Sequence, residues 1–251
     1  MSTVASITRL NIYHLVYIYM TPLGELSNDQ LKKTNLYSKK HRLLTGGITN
    51  YTFSDINSFK VDDIAMYSIT SAKIAHALSN EIHALMGTDG IVITDATASV
   101  GGNSIPFMEH SGFEVVNMVE VSICRFKMLK HNITLQGAGK KYTLYNRNYL
   151  DIYHTLTQDI VFIDPPWGGP EYKLKRSLHL FLSGVNISVV CNNIFNARST
   201  KYIILKVPIN FDIDSFIENV QPHPVSKMSI PVFSKKMNFI SIENHNYKKT
   251  I

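Results

Sequence analysis

Residues 161–170 read Val-Phe-Ile-Asp-Pro-Pro-Trp-Gly-Gly-Pro and hold the only tryptophan of a 251-residue chain. A run of β-formers delivers an acid, two prolines, an indole and two glycines to one short loop. Asp164 and the carbonyl of Pro165 stand there as hydrogen-bond acceptors at a strand end. Proline fixes φ and has no N–H to donate, so the turn is stiff and its carbonyls face outward. Trp167 adds a flat aromatic wall beside those acceptors. A planar amine stacked on that wall would have its N–H hydrogens held by fixed oxygens. Methyl transfer to the amino group of a base requires that arrangement. The competing reading is a tight loop with Trp167 packed inside.

Such a loop acts only if a sheet presents it, and the flanking sequence supplies one. Residues 71–85 place apolar side chains at helical spacing, with Gly87 as the stop. Strand and helix patterns then alternate. Residues 91–94 form a buried strand ending at Asp95, and Gly101-Gly102-Asn103 opens a helix that stops near Gly112. Residues 113–119 end at Glu120 and lead into helix through about residue 135. Residues 142–145, 160–163 and 202–207 are the third, fourth and fifth strands, and 225–232 and 237–242 close the chain. Alternation of this kind predicts a Rossmann-like α/β fold, a mostly parallel sheet with helices on both faces. A small N-terminal extension, residues 1–60, with a strand-like piece over 11–20, precedes the domain at 61–251. Ligands of such sheets sit beyond the carboxyl ends of the strands. Asp95, Glu120, Asn148 and Asp164 all fall at or just after such ends.

A nucleoside cofactor needs close backbone approach and an acceptor for its ribose hydroxyls. The turn from Asp95 and Ala96 to Gly101, Gly102 and Asn103 offers small residues, then glycines, at a helix start. Glu120 lies 25 residues beyond Asp95, where an acid typically binds a ribose diol. The same layout could hold NAD, but Ser99 occupies the place where the first glycine of a Gly-x-Gly-x-x-Gly pattern is wanted. With that pattern missing and the Pro-Pro-Trp loop present, S-adenosylmethionine is the favoured cofactor. No P-loop, His-Glu-x-x-His or Gly-x-Ser-x-Gly motif competes.

Composition sets the outer limits. Hydrophobic residues make up 45% and charged residues 18%, which describes a globular chain with a true core. Lys and Arg number 25 against 19 Asp and Glu, a net charge of +6 that leans toward a polyanionic partner. The cations cluster: Lys32, Lys33, Lys39, Lys40 and Arg42 form one group; Lys173, Lys175 and Arg176 follow the Pro-Pro-Trp loop; Lys235, Lys236, Lys248 and Lys249 lie near the end. The second group is placed to contact phosphate, and the terminal lysines read as solvated surface. Cys124 and Cys191 lack metal-type spacing, so neither a disulfide framework nor a zinc site is expected. The apolar run at residues 10–20 is too short to span a bilayer and lacks signal-peptide features. An intracellular, soluble monomer with no membrane association and no metal is expected.

Four segments then occur in a telling order. They are Asp62-Asp63-Ile64-Ala65-Met66-Tyr67-Ser68-Ile69-Thr70 with Lys73-Ile74-Ala75, the turn from Asp95 to Asn103, the loop from Ile163 to Tyr172, and Val207-Pro208-Ile209-Asn210-Phe211-Asp212-Ile213-Asp214. Over about residues 60 to 245 the chain resembles the RNA cap guanine-N2 methyltransferases, the trimethylguanosine synthase family. Asp-x-Phe-x-Gly-x-Gly-Gly-Asn, Pro-Pro-Trp-Gly-Gly-Pro-x-Tyr and Leu-Pro-x-Asn-x-Asp-x-Asp are the corresponding family patterns. Thr97 and Ser99 stand where the family has an aromatic residue and glycine, and Met66 where it has tryptophan. Ser71 replaces a proline, Asn148 an acid, and Asp164 the serine of many members. These departures mark a divergent member, of viral or protist kind.

The resemblance implies a class I S-adenosylmethionine-dependent fold and methyl transfer to the exocyclic N2 of 7-methylguanosine RNA caps, giving di- or trimethylguanosine. Thr70, Asp95, Ala96, Gly101, Asn103, Glu120, Asn148 and Asp164 would then surround the cofactor. Asp164 and the Pro165 carbonyl would accept the N2 hydrogens, and Trp167 would carry the base. Lys173, Arg176 and Asn210 would meet the rest of the cap, with Lys39, Lys40 and Arg42 on its phosphates. Two alternatives stay open: adenine-N6 methylation of DNA or RNA, which Asp-Pro-Pro-Trp also suits, and a silent methyltransferase fold serving as an RNA-binding subunit.

Overall fold

A computed structural model of the chain describes residues 58–136, 141–197, 200–230 and 236–247. The expected strand-like piece at 11–20, the cations from Lys32 to Arg42, and Lys235, Lys248 and Lys249 lie outside the described residues, as does the N-terminal extension up to residue 57.

Helices α1 (Asp63–Ser68) and α2 (Ala72–Met86) lead into strand β1 (Ile91–Asp95). Then come α3 (Ser104–Glu109), β2 (Phe113–Val119), α4 (Ile123–Leu135) and β3 (Lys141–Tyr145). Helix α5 (Tyr149–Ile152) runs into a 3-10 turn at Tyr153–Thr155, and β4 (Ile160–Ile163) into another at Pro170–Leu174. A short hairpin of β5 (Phe181–Leu182) and β6 (Val185–Asn186) precedes α6 (Ile187–Asn196) and β7 (Tyr202–Pro208). Helix α7 (Ile213–Asn219), β8 (Val225–Lys227) and β9 (Met237–Glu243) complete it.

Seven strands form one sheet in the order β3-β2-β1-β4-β7-β9-β8. The first five are parallel, and β9 runs antiparallel to both β7 and β8. The chain steps outward from β1 to β2 and β3, then returns to place β4 on the other side of β1. Strand order therefore reverses between β1 and β4, the point at which open α/β sheets form a ligand crevice. Asp95 pairs in register with Phe162, so the loops after β1 and β4 leave the sheet side by side.

Burial explains why β4 and β7 read as near-continuous apolar runs. Ile160 and Phe162 face one layer, with Leu78 and Ile82 of α2, Phe107 of α3 and Leu129 of α4. Val161 and Ile163 face the other, with Val190, Cys191 and Ile194 of α6 and Phe216 of α7. Helices thus cover both faces, and each fully buried Val, Ile or Phe contributes about 1.5–3 kcal/mol. The left-handed Gly87 (φ +66°) ends α2 as expected.

Two expected elements are shorter than the pattern suggested. Helix α3 ends at Glu109 rather than near Gly112, because the Gly112 carbonyl already accepts the Ile91 N–H and Phe113 starts β2. Strand β8 ends at Lys227, its last pair with Ile240, instead of running to residue 232. No helix among the described residues is long and apolar enough to cross a membrane. Those residues also hold no cluster of His, Cys, Asp or Glu that could bind a metal ion.

Candidate active site

The turn after β1 is held from beneath by carboxylates. Asp95 is 1% exposed; its Oδ1 accepts the Thr97 N–H at 3.2 Å and its Oδ2 the Ser104 hydroxyl at 2.6 Å. Burial pushes its carboxyl up to about 7; these two bonds oppose the shift, and the charges of Asp164 and Glu120 add to it. Glu120, at the end of β2, accepts the Ser99 N–H (2.9 Å) on Oε2 and the Ser122 N–H (2.7 Å) on Oε1. Burial raises its pKa as well, against those two bonds and Arg125. Ser99 adopts φ +49°, the left-handed region that a glycine would enter without strain. Gly102 is required for space: a Cβ there would lie 2.5 Å from Ile69 Cγ1.

That close approach brings the segment after α1 over the turn and leaves a cleft of about 270 Å³, open to solvent. Thr70, Ser99, Asn103 and Asp164 are among its walls. Thr70 Oγ1 and Asn103 Oδ1 are buried in it without a hydrogen-bond partner among the described residues. Orphaned buried polar atoms are costly and rare in native structures. Two in one cleft mark where a polar ligand would complete the bonding, so these residues fit a cofactor that carries an amino acid moiety.

The loop after β4 forms the other wall. The Asp164 N–H donates to Thr97 Oγ1 at 2.8 Å, tying the two loops together. Its carboxylate is 18% exposed, and Oδ2 accepts Lys206 Nζ at 2.7 Å. Burial raises the Asp164 pKa, and the Lys206 charge pulls it back. Pro165 is buried and Trp167 half-buried. The indole meets Tyr172 edge-on, with centroids 5.1 Å apart at 77°, and Lys206 Nζ lies 5.4 Å over its ring. Gly168 (φ +87°) and Gly169 (φ +76°) take backbone conformations that L side chains rarely adopt. From the turn after β7 the Asn210 amide donates to the Tyr172 and Lys175 carbonyls at 2.9 and 2.7 Å, clamping the 3-10 turn.

Among the sequence-predicted residues, Thr70, Asn103 and Asp164 meet in the cleft, while Asp95, Ala96 and Gly101 lie buried behind it. Glu120 braces the turn. Asn148 is half-buried at the start of α5, its Oδ1 accepting the Leu150 N–H and the Ser183 hydroxyl. Lys173 and Arg176 are exposed on the far side of Trp167 in the chain. A second cleft of about 230 Å³, lined by His179, Ile187, Asp212 and Phe216, contains none of them. Sequence reasoning missed Thr97, Ser104 and Lys206. The signal for Lys206 was present: a cation in Ile-Ile-Leu-Lys-Val-Pro has to find an acid if that strand is buried on both faces.

A family model described as RNA cap guanine-N2 methyltransferase matches residues 91–251. An uncharacterized protein of Acanthamoeba polyphaga mimivirus is 32% identical over 239 residues, 86% of this chain and 89% of that protein. The trimethylguanosine synthase of Schizosaccharomyces pombe is 30% identical over 121 residues, 46% of this chain and 48% of that enzyme, so the match spans about half of its length. Among solved structures, a Listeria monocytogenes protein assigned to the class I S-adenosylmethionine-dependent methyltransferases superposes with a TM-score of 0.53 at 13% identity, covering 92% of this chain and 72% of that one. That last likeness bears on the fold alone.

Proposed function

The chain belongs to the RNA cap guanine-N2 methyltransferase family, and on that premise we propose that it methylates the exocyclic N2 of 7-methylguanosine at the end of a capped RNA. It is an S-adenosylmethionine-dependent methyltransferase by family and fold. One observation carries the finer reading. Asp164, the acid of the Asp-Pro-Pro-Trp loop, is itself a wall of the cleft that holds the orphaned Thr70 and Asn103 atoms. Donor and acceptor sites therefore meet at one carboxylate.

When bound, S-adenosylmethionine supplies a methyl group activated by its sulfonium. Thr70 Oγ1 and Asn103 Oδ1 would hold its amino acid end. Glu120 keeps one lone pair free on each oxygen for the ribose, and the Asn148 amide nitrogen would meet the adenine edge. The guanine N2 lone pair is delocalised into its ring, so alignment is the chain's main contribution. Asp164 and the Pro165 carbonyl would accept the two N2 hydrogens and fix the amine in line. As the new bond forms, positive charge grows on that nitrogen, and the nearby carboxylate stabilises it and takes the proton. Trp167 stacks the base, and exposed Lys173 and Arg176 meet phosphate.

A methyl-transfer assay with radiolabelled S-adenosylmethionine tests this. It offers 7-methylguanosine cap analogue, unmethylated cap analogue and an adenine-rich oligonucleotide in parallel. Label on the 7-methylated cap is the expected result. Label on the oligonucleotide alone would transfer the function to adenine N6; cofactor binding without any transfer would mean that the acceptor is another one, and no cofactor binding would point to a silent RNA-binding fold.

A further inference from the structure

We propose that Lys206 is the positioning residue of the acceptor site, and that it works with Asp164 as one neutral unit beneath Trp167. The inference rests on the reading of Asp164 as the acceptor of the substrate amine. Lys206 sits in the middle of β7, between Leu205 and Val207, and is 2% exposed. Its Nζ donates to Asp164 Oδ2 at 2.7 Å and to the Ser68 carbonyl at 3.0 Å. Both partners line the cofactor cleft. A single ammonium therefore pins the two walls of the cleft and lies over one face of the indole at 5.4 Å.

Geometry assigns the remaining places. With Oδ2 engaged by Lys206, Oδ1 is the oxygen left for an amine. With one indole face covered by the ammonium, the base stacks on the other. Charge balance explains why neither residue stands alone. An unpaired lysine would put a buried positive charge under the wall that receives a cationic 7-methylguanine. An unpaired Asp164 would be a buried anion facing Asp95 at the end of β1, with Glu120 beyond it. Lys206 is the counter-charge that makes a buried acid workable at residue 164.

The test is a four-protein cycle in the full chain: wild type, Lys206→Met, Asp164→Ser and the double variant. Turnover is read on the 7-methylated cap analogue and S-adenosylhomocysteine affinity by calorimetry. Each single variant strands one buried charge and is expected to lose roughly 100-fold in turnover, the scale of removing one preorganised polar contact. The double variant, with a neutral hydroxyl acceptor and no stranded charge, should recover at least about tenfold over either single, a non-additivity expected of a coupled pair. Its S-adenosylhomocysteine affinity, read beside turnover, separates a loosened cleft from a lost acceptor site.

Lys206→Met should also move the acid limb of the pH–rate profile upward, because Asp164 loses the charge that opposes its protonation. Trp167 is the only tryptophan, so its emission should shift in Lys206→Met without any acceptor present. A double variant no better than Asp164→Ser, or an unmoved emission, overturns the proposal, and the first comparison survives even if Lys206→Met does not fold. If wild type methylates only the adenine oligonucleotide, the substrate reading fails, and the same cycle on that acceptor still decides the role of Lys206.

Discussion

Replacing Trp167 with alanine removes one wall of the acceptor site, and its cost follows from how the ring is held. Tyr172 meets the indole edge-on, Lys206 lies over one face, and the half-buried ring packs against the second core layer; the proposed base takes the face opposite Lys206. Stacking a base on an aromatic face is worth about 1–3 kcal/mol, and 1.4 kcal/mol is a tenfold change in affinity. Trp167→Ala is therefore expected to weaken binding of any guanine cap analogue by roughly 5- to 150-fold. A 7-methylguanine ring is cationic, which adds about 0.5–2 kcal/mol on an indole face. Lys206 already draws on the same π density, so the low end applies, about a further 2- to 5-fold on the methylated analogue alone. Calorimetric titration of methylated and unmethylated analogues, with S-adenosylhomocysteine present, separates the two parts. S-adenosylhomocysteine affinity itself should be unchanged. Equal losses for both analogues would refute the cation contribution. A parallel loss of S-adenosylhomocysteine binding would refute stacking altogether, because the indole would then be a plug that supports the loop.

Other residues of the site give equally definite expectations. Asp95 has a folded pKa raised to about 7 from 3.8, so its stabilising protonated form is fully present below 3.8 and is lost as pH climbs toward 7. Asp95→Asn mimics that form, and its stability relative to wild type should grow by on the order of 2 kcal/mol between pH 5 and 7; parallel melting curves across that range would contradict the burial argument. Gly102→Ala sets a methyl 2.5 Å from Ile69 Cγ1 and should cost about 1–3 kcal/mol while weakening S-adenosylhomocysteine binding, both readable by thermal shift with and without ligand. Asn210→Ala frees the turn at residues 170–175 and should raise KM for the cap analogue while leaving cofactor affinity alone; unchanged KM would mean that the clamp is dispensable.

Much of this architecture is legible in the chain because parallel strands buried on both faces leave long apolar runs, as 160–163 and 202–205 do. The acids at strand ends are legible for the same reason, since each run stops where the polar residue begins. Smaller elements fall below the length at which periodicity speaks. Strands β5 and β6 have two residues each, and α3 has six with Pro106 inside it. Partners distant in sequence are also invisible from local pattern. Thr97 and Asp164 are 67 residues apart, and Ser68 and Lys206 are 138 apart. Asn210 stood out as a cap contact because of its motif, yet its amide nitrogen is spent on the carbonyls of the neighbouring turn.

The departures from the family pattern bear on whether the site is working or decayed. A loop that had lost its ligand would be free to accumulate unmatched substitutions, with polar groups left unsatisfied and strain released. Thr97, where an aromatic residue is usual, uses its hydroxyl to accept the Asp164 N–H, which no phenyl ring could do. Ser99, in a glycine position, keeps φ +49° at a cost of order 1–3 kcal/mol, and Glu120 holds its N–H. Asp164, in a serine position, is matched by Lys206 from another strand. These three substitutions each meet a partner, and the strain at Ser99 is retained. Two of the buried polar atoms without a hydrogen-bond partner among the described residues, Thr70 Oγ1 and Asn103 Oδ1, share the cleft where a cofactor would supply one, and Trp167 Nε1 and Asn210 Oδ1 are two more, at the acceptor loop and the turn that clamps it. Matched substitutions in the two loops, beside a cleft with polar atoms left for a ligand, argue for a rebuilt catalytic site over a silent fold.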